Sequence, residues 1–172
     1  ELRALAMADG VVKCSTRDLA WVAAAGLTGA TTVAGTIYVA ARAGLSVVLI
    51  ERGPSPGSKN KYDGGVYPRI LDQLIPEWWN EAPVQRWVTR RSTMLLTETQ
   101  ALTVDFRTEA WGRPPYNGAT AYRPDFDHWL AGHAVAAGAQ LITSTTVTGL
   151  LRDPSGAVEG VRTDRPDGDL RA

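Results

Sequence analysis

The chain has 172 residues, which is enough for one ordinary domain. Lys and Arg together number 18, as do Asp and Glu, so the chain lacks the basic excess that nucleic-acid binding requires. Its hydrophobic share of 44% is typical of a globular protein, and no apolar run reaches the roughly 20 residues that span a bilayer. We therefore expect a cytoplasmic protein with no transmembrane segment and no nucleic-acid partner.

The first half of the chain predicts a strand–helix–strand unit. An apolar run is followed by a glycine-containing turn, an Ala-rich helix that Gly44 ends, and a second apolar run that ends at Glu51. Such a unit forms the first parallel pair of a doubly wound sheet. The predicted segments are an N-terminal extension (1–18), a strand (19–25), a turn (26–29), a helix (30–43) and a strand (45–50).

The second half predicts short strands around one longer helix. Alternating residues on either side of a short turn indicate an antiparallel hairpin, and the turn 153–156 joins two further strands. The predicted segments are a loop (53–65), a short helix (67–75), the hairpin strands (92–98 and 101–106), a loop (111–118), a helix (125–137) and three strands (140–143, 146–151 and 158–163).

Residues 24–29 partly match the G-x-G-x-x-G turn of dinucleotide-binding sites, in which backbone amides at a helix N-terminus face a pyrophosphate. Gly26 and Gly29 match the second and third glycines, whereas Ala24 stands at the first. Glu51 stands where a carboxylate accepts hydrogen bonds from the ribose, although the spacing from Ala24 is about one helical turn longer than usual. An ordinary strand–helix turn remains the alternative at this point.

Motifs beyond the second strand resemble one family. The segments are Glu51-Arg52-Gly53, Gly57-Ser58-Lys59-Asn60, Gly64-Gly65 with Tyr67, and Tyr122-Arg123-Pro124-Asp125-Phe126-Asp127-His128-Trp129-Leu130. Together they resemble the electron-transfer-flavoprotein:quinone oxidoreductases, in particular the nitrogen-fixation-type (Fix) FAD-dependent dehydrogenases, which are related to the geranylgeranyl reductases. The resemblance is good over residues 45–172 and poor over 19–44.

This resemblance implies an α/β fold: a Rossmann-like FAD-binding domain of the glutathione-reductase type with an inserted antiparallel β segment, truncated at its C-terminus. It implies an incomplete FAD-binding domain over 19–66 and 119–172, and the start of a substrate or insert domain over 67–118. It also implies that the chain is the N-terminal fragment of a longer enzyme.

The resemblance also implies the residues that contact FAD. The turn would lie along the pyrophosphate, the strand-ending acid would bind the adenosine ribose, and the paired glycine, here one residue late, would approach the isoalloxazine. Arg123 would reach the phosphate or ribityl side, and Val147 would meet the adenine through its backbone. The full set is Ala24, Gly26, Leu27, Thr28, Gly29, Glu51, Arg52, Gly64, Gly65, Arg123 and Val147.

The implied function is electron transfer from electron-transfer flavoprotein to a quinone or ferredoxin, with a peripheral membrane contact left open. Two alternatives remain: a flavin-dependent reductase or hydroxylase of a lipid or aromatic substrate, and a non-enzymatic remnant unable to bind FAD. No side chain has the setting of a catalytic acid or base. No metal site is expected, because His128 and His133 are five residues apart. Trp78 and Trp79 favour a core edge over a quinone contact.

Overall fold

The computed structural model describes residues 6, 7, 10–14, 19–23, 38, 40–59, 63–67, 69, 71–166 and 168–171. The chain divides into two units, Glu1–Lys61 with Asp127–Ala172, and Tyr62–Phe126. The strands in the described part are β1 (Ala6–Met7), β2 (Gly10–Cys14), β3 (Leu19–Ala23), β4 (Ser46–Ile50), β5 (Asp63–Val66), β6 (Val84–Trp87), β7 (Arg90–Leu96), β8 (Ala101–Arg107), β9 (Ala119–Tyr122), β10 (Gln140–Ile142), β11 (Val147–Arg152), β12 (Val158–Thr163) and β13 (Leu170–Arg171). Helix α1 is Leu71–Leu74 and helix α2 is Arg123–Ala136, with short 3-10 segments at Trp78–Asn80 and Glu109–Gly112.

The first unit contains a five-stranded sheet with the order β1-β2-β3-β4-β10. Strands β3 and β4 pair in parallel, as do β4 and β10, so the predicted parallel pair is confirmed and gains a third strand. Strands β1 and β2 extend the sheet beyond β3 by antiparallel pairing. The carboxyl ends of β3, β4 and β10 therefore lie at one edge of the sheet.

Strand β4 lies at the centre of the first unit's core. Val47 and Leu49 pack with small residues of the neighbouring helices, in a cluster of Ala40, Ala41, Ala131, Ala134 and Ala139. Val48 and Ile50 point to the other face and pack with Val161 of β12. The four apolar residues of β4 are all buried because successive side chains of a strand point to opposite faces, and here both faces are covered.

The predicted helix end at Gly44 is confirmed, and Gly138 follows the helix predicted over 125–137 in the same way. Gly44 has φ 79 and Gly138 has φ 107, a left-handed conformation that glycine adopts without a steric penalty. In each case the residue after the glycine donates its N–H to a carbonyl five residues earlier, Leu45 to Ala40 at 3.2 Å and Ala139 to Ala134 at 3.0 Å. This is the Schellman arrangement. Residues 40–42 are helical, whereas 30–37 of the predicted first helix lie outside the described residues.

The second unit contains a three-stranded antiparallel sheet with β9 between β5 and β6. Residues 53–65 were expected to form a loop, and this is wrong for 63–65, which begin β5. The glycines have a low intrinsic preference for strands, but pairing with β9 overrides it. The predicted helix 67–75 is also shorter, since α1 covers only four residues, while α2 begins two residues earlier than expected.

The predicted hairpin is confirmed as the two-stranded sheet β7–β8. At its base, the guanidinium of Arg90 donates to Asp105 Oδ1 at 2.9 Å, and the Ser92 hydroxyl donates to the same oxygen at 2.6 Å. The hydrogen bond from Arg90 lowers the pKa of Asp105. Both strands are exposed along their whole length, including their large apolar side chains.

The position of β4 in the core gives a test of this fold. Leu49→Ala should lower the free energy of unfolding by roughly 2–5 kcal/mol, because it leaves a cavity beside the alanine cluster. Ser46→Ala, on the exposed first residue of the same strand, should change it by less than about 0.5 kcal/mol. Chemical denaturation of the two variants checks this, and equal effects would place β4 outside the core.

Candidate functional site

The residues that follow β4 and β10 are joined by backbone hydrogen bonds. Glu51 N–H donates to Ile142 O at 2.8 Å, and Thr145 N–H donates to Glu51 O at 3.1 Å. Ser144 N–H donates to Gly53 O at 2.8 Å. The loop after β4 is thus held against the segment after β10, at the sheet edge where open α/β folds bind their ligands.

The segment after β10 has an unusual backbone. Ser144 has φ 52, a left-handed conformation that is disfavoured for residues with a Cβ. Next to it, Thr145 is buried; its hydroxyl donates to Thr143 O at 3.0 Å and accepts from Arg165 Nη1 at 3.4 Å. Strained backbone of this kind persists where the surrounding bonds over-determine it, and it clusters at ligand sites.

The Glu51 side chain turns back onto its own loop. Its Oε1 accepts a short hydrogen bond from Gly53 N–H. A Cβ on Gly53 would lie 2.3 Å from Ser58 Oγ and 3.0 Å from Glu51 Oε1, so only glycine fits between the two side chains. Gly53 therefore sets the position of the carboxylate.

A second carboxylate tethers the start of β11. Asp164 Oδ1 accepts from Thr146 N–H at 2.7 Å, and Asp164 N–H donates to Thr146 O at 3.1 Å. The hydrogen bond from the Thr146 amide lowers the pKa of Asp164. Next along the chain, Val147 packs against the cluster formed by Val48, Ile50 and Val161. The segment from Thr145 to Val147 is therefore fixed by β4, the Glu51 loop and Asp164.

The structure brings part of the predicted cofactor set together in the first unit. Glu51 and Val147 lie on either side of the 143–146 segment, and Arg52 is exposed beside Glu51. Gly64, Gly65 and Arg123 belong to the second unit, the glycines in β5 and Arg123 at the first residue of α2. The turn residues of the predicted set (Ala24, Gly26, Leu27, Thr28 and Gly29) lie outside the described residues.

Gly65 has no structural requirement for glycine within the described chain. Its φ is not among the positive values, and a Cβ added there would meet nothing within 4 Å. It pairs with Thr120 and is exposed. Because glycine weakens a strand interior, its presence in β5 is often a sign of close approach by a ligand or another backbone.

Trp78 has a structural role. It is buried in the second unit, and its indole N–H donates to Asp72 Oδ1 at 2.8 Å. Its ring meets the edge of Trp87 at 5.7 Å between centroids, and Trp87 stacks on Tyr116 at 3.6 Å. This agrees with the interpretation of Trp78 as a core residue rather than a quinone contact.

Sequence reasoning missed Gly53, Ser58, Ser144 and Asp164. Gly53 had an available signal, because a glycine two residues after a strand-ending acid leaves room for that acid to fold back onto the backbone amide. The left-handed backbone of Ser144 and the bond from Asp164 to Thr146 had none, since they depend on pairings between segments far apart in the chain.

The arrangement around Glu51 fits the ribose end of an adenine dinucleotide. A carboxylate accepts at about four lone-pair positions. Among the described residues, Gly53 N–H donates to the Glu51 side chain and occupies one of these positions, which leaves others for a ribose diol. Gly53 lies between the side chains of Glu51 and Ser58, and we call this close packing the cradle at Gly53. It keeps the carboxylate at the end of β4, the position expected for a ribose-binding acid.

Known proteins resemble most of this chain. FixC of Bradyrhizobium diazoefficiens is 36% identical over 132 residues, which is 77% of this chain and 30% of FixC. The probable electron transfer flavoprotein-quinone oxidoreductase YdiS of Escherichia coli is 43% identical over 123 residues, 70% of this chain and 29% of YdiS. Over this stretch the chain belongs to the family of FixC and YdiS. The resemblance derived from the sequence motifs is thus confirmed, and the chain spans about three tenths of the length of these relatives.

Solved structures show the same fold. A geranylgeranyl bacteriochlorophyll reductase-like protein from Thermoplasma acidophilum superposes with a TM-score of 0.64 over 81% of this chain and 34% of its own, at 23% identity. Aklavinone-11 hydroxylase, solved with FAD and aklavinone, gives a TM-score of 0.56 over 81% of this chain and 29% of its own, also at 23% identity. The expected α/β fold is therefore confirmed as a mixed α/β fold similar to that of FAD-dependent oxidoreductases. The relatives FixC and YdiS, together with these structures, confirm the expectation of an enzyme family.

A second family matches the start of the chain. Residues 1–50 match the model of the family described as Indigoidine synthase A like protein. This match includes the turn 24–29 and ends with β4, immediately before Glu51. The predicted pyrophosphate turn and the predicted ribose acid thus fall on opposite sides of the boundary of this match.

Two further kinds of site concern the described residues, a membrane-spanning helix and a metal centre. No helix among them is long and apolar enough to cross a membrane. The same residues contain no group of three or more His, Cys, Asp or Glu side chains placed to hold a metal ion.

The cradle at Gly53 gives a testable clash. Gly53→Ala should destabilise the first unit by about 1–3 kcal/mol, because its methyl group meets Ser58 Oγ and the Glu51 carboxylate. Adding Ser58→Ala removes the closer contact and should recover part of the loss. Denaturation of the single and double variants measures this, and a double variant no more stable than Gly53→Ala alone would contradict the geometry.

Asp164 gives a pH-dependent test. Its pKa is lower in the folded chain than the ordinary 3.8, so its stabilising effect is complete above that value and is lost as pH falls through the folded pKa. Asp164→Asn should therefore be less stable than wild type at pH 6, and the difference should shrink below about pH 4. Asp169→Asn, at an exposed carboxyl nearby, is the comparison. A difference that is constant from pH 6 to pH 2.5 would contradict the assignment.

Proposed function

We propose that this chain contributes FAD-binding elements of an oxidoreductase that passes electrons from electron-transfer flavoprotein to a quinone or ferredoxin. The observation that supports this most strongly is Glu51, which is held at the carboxyl end of β4 by Gly53 and by the 143–145 segment. The relative YdiS, 43% identical over 123 residues, is a probable electron transfer flavoprotein-quinone oxidoreductase. The donor and acceptor belong to this proposal.

In this proposal, the residues of the chain bind FAD or orient it. The Glu51 carboxylate accepts hydrogen bonds from the ribose hydroxyls, the Val147 backbone meets the adenine, and Arg52 lies beside the ribose. Gly65 lets the β5 backbone come close to the isoalloxazine, and Arg123 faces the phosphate or ribityl side. Gly26 and Gly29, which lie outside the described residues, complete the proposal as the pyrophosphate-binding turn.

FAD supplies one- and two-electron redox chemistry when bound, and the protein supplies binding, orientation and electrostatics. No acid–base step is assigned to a side chain. The carboxylate of Glu51 acts only as a hydrogen-bond acceptor, and its rigid loop reduces the ordering that binding would otherwise require.

A second candidate is a chain that does not bind FAD. The observation that favours it is the match of residues 1–50 to another family, since these residues include the whole predicted pyrophosphate turn. Replacing residues 1–50 by the corresponding residues of FixC separates the two candidates. If only the replaced chain binds FAD, the second candidate is correct; if the natural chain binds equally well, the first is.

The ribose contact is tested by Glu51→Gln. Loss of the charged acceptor should weaken FAD binding by roughly 10-fold or more, because hydrogen bonds to charged groups contribute about 1.5–3 kcal/mol. Quenching of FAD fluorescence by the 172-residue chain measures the affinity. Glu98→Gln, in the exposed turn between β7 and β8, is the control and should bind as wild type. Equal affinity of the Glu51 variant and wild type would reject the ribose assignment.

The flavin contact is tested by Gly65→Ala. Since a Cβ there meets nothing, the variant should be as stable as wild type or more stable by about 0.5–1 kcal/mol. If the backbone lies against the isoalloxazine, the same methyl group should weaken FAD binding several-fold. Gly132→Ala, on an exposed site of α2 that also has open space, is the matched control and should leave binding unchanged. Normal FAD affinity in Gly65→Ala would remove β5 from the site.

A further inference from the structure

The hydroxyl of Ser58 is buried and has no hydrogen-bond partner in the described part of the chain. A buried donor without a partner destabilises the folded protein, because it has given up its hydrogen bonds to water. Such a group calls for a physical explanation, and a partner that becomes available in another state of the site is one.

A tight turn fixes the position of Ser58. Ser58 N–H donates to Ser55 O at 3.1 Å, and Gly57 has φ 78 at the third position of that turn. Pro56 at the second position and glycine at the third are the signature of a type II turn. The turn therefore fixes the backbone of Ser58. The side chain can still rotate about its Cα–Cβ bond, which moves the hydroxyl oxygen.

The hydroxyl lies close to the Glu51 carboxylate. The same point, a Cβ built on Gly53, is 2.3 Å from Ser58 Oγ and 3.0 Å from Glu51 Oε1. Ser58 Oγ and Glu51 Oε1 are therefore separated by at most the sum of these two distances. They are close to each other but not hydrogen-bonded. Changing the Ser58 rotamer moves its oxygen by about 2 Å, which is enough to bring a donor and an acceptor at such a distance into contact.

We propose that Ser58 is a positioning residue for Glu51: its hydroxyl donates to the carboxylate when that carboxylate accepts the ribose hydroxyls of FAD. This inference rests on the proposed function. Gly53 N–H already holds one oxygen of the carboxylate, and a second donor from Ser58 orients the group so that its remaining acceptor positions face the ribose. Because Ser58 Oγ is buried, it acts through Glu51 and does not touch the ligand.

The test is a double-mutant cycle in the full 172-residue chain, with Ser58→Ala, Glu51→Gln and the double variant. FAD affinity is measured by fluorescence quenching, and the melting temperature is measured without FAD. We expect Ser58→Ala to melt at or above the wild-type temperature, since it removes an unsatisfied donor, and to bind FAD about 3- to 10-fold more weakly. In the Glu51→Gln background, Ser58→Ala should have no further effect on affinity. Ser58→Thr, which keeps the hydroxyl, should recover at least part of the affinity.

The possible failures are distinguishable. Weak binding by Glu51→Gln together with wild-type binding by Ser58→Ala overturns the role of Ser58 and leaves the proposed function standing. An equal loss on Ser58→Ala in both backgrounds also overturns it, because Ser58 then does not act through Glu51. A lowered melting temperature without FAD shows a purely structural role. Absence of FAD binding by the wild-type chain overturns the proposed function and this inference with it.

Discussion

The hydrogen bonds that join the ends of β4 and β10 determine the shape of the candidate site. Glu51 is bonded through its N–H to Ile142 and through its carbonyl to Thr145, so the residue that leaves β4 remains in register with the strand beside it. Two residues later the carbonyl of Gly53 accepts a hydrogen bond from Ser144 N–H. On a free loop, the acid that ends the strand would sample many positions. Here the hydrogen bonds fix the backbone of Glu51, so that mainly its side-chain torsions remain variable.

The burial of β4 also fixes the position of the loop that follows it. Its four apolar residues pack alternately against the alanine cluster and against β12, which makes the strand a rigid base for the loop that follows. The same β11–β12 hairpin that covers one face of β4 also provides Asp164, which holds Thr146. The packing of the core and the geometry of the site therefore depend on the same three segments: β4 with the loop after it, β10 with the residues that follow it, and the β11–β12 hairpin.

The two family matches overlap around this strand. The match to the Indigoidine synthase A like family covers residues 1–50 and so includes all of β4. The 132 residues aligned with FixC are more than the part of the chain that follows residue 50, so that alignment also reaches back into the same stretch. The chain departs from the dinucleotide-binding pattern at Ala24 and in the spacing to Glu51. Glu51 is held in a well-defined loop, whereas the turn that should face it lies in the stretch that also matches another family.

The sequence alone determined the parallel strand pair, the glycine helix ends, the antiparallel hairpin and the family. These features depend on local patterns: continuous apolar runs, glycine after a helical run, alternation about a short turn, and motifs of a few residues. The sequence also predicted Glu51 as the ribose acid, because a carboxylate directly after a buried strand is visible without coordinates. It did not predict β5, whose glycines read as a loop until β9 pairs with them.

Only the tertiary structure decided how Glu51 is held. The contacts of Gly53 with Glu51 and Ser58 lie within one loop, but the bond from Ser144 to this loop and the bond between Asp164 and Thr146 join separate segments of the chain. No local propensity encodes such contacts, because each exists only after the sheet has brought the carboxyl ends of its parallel strands to one edge.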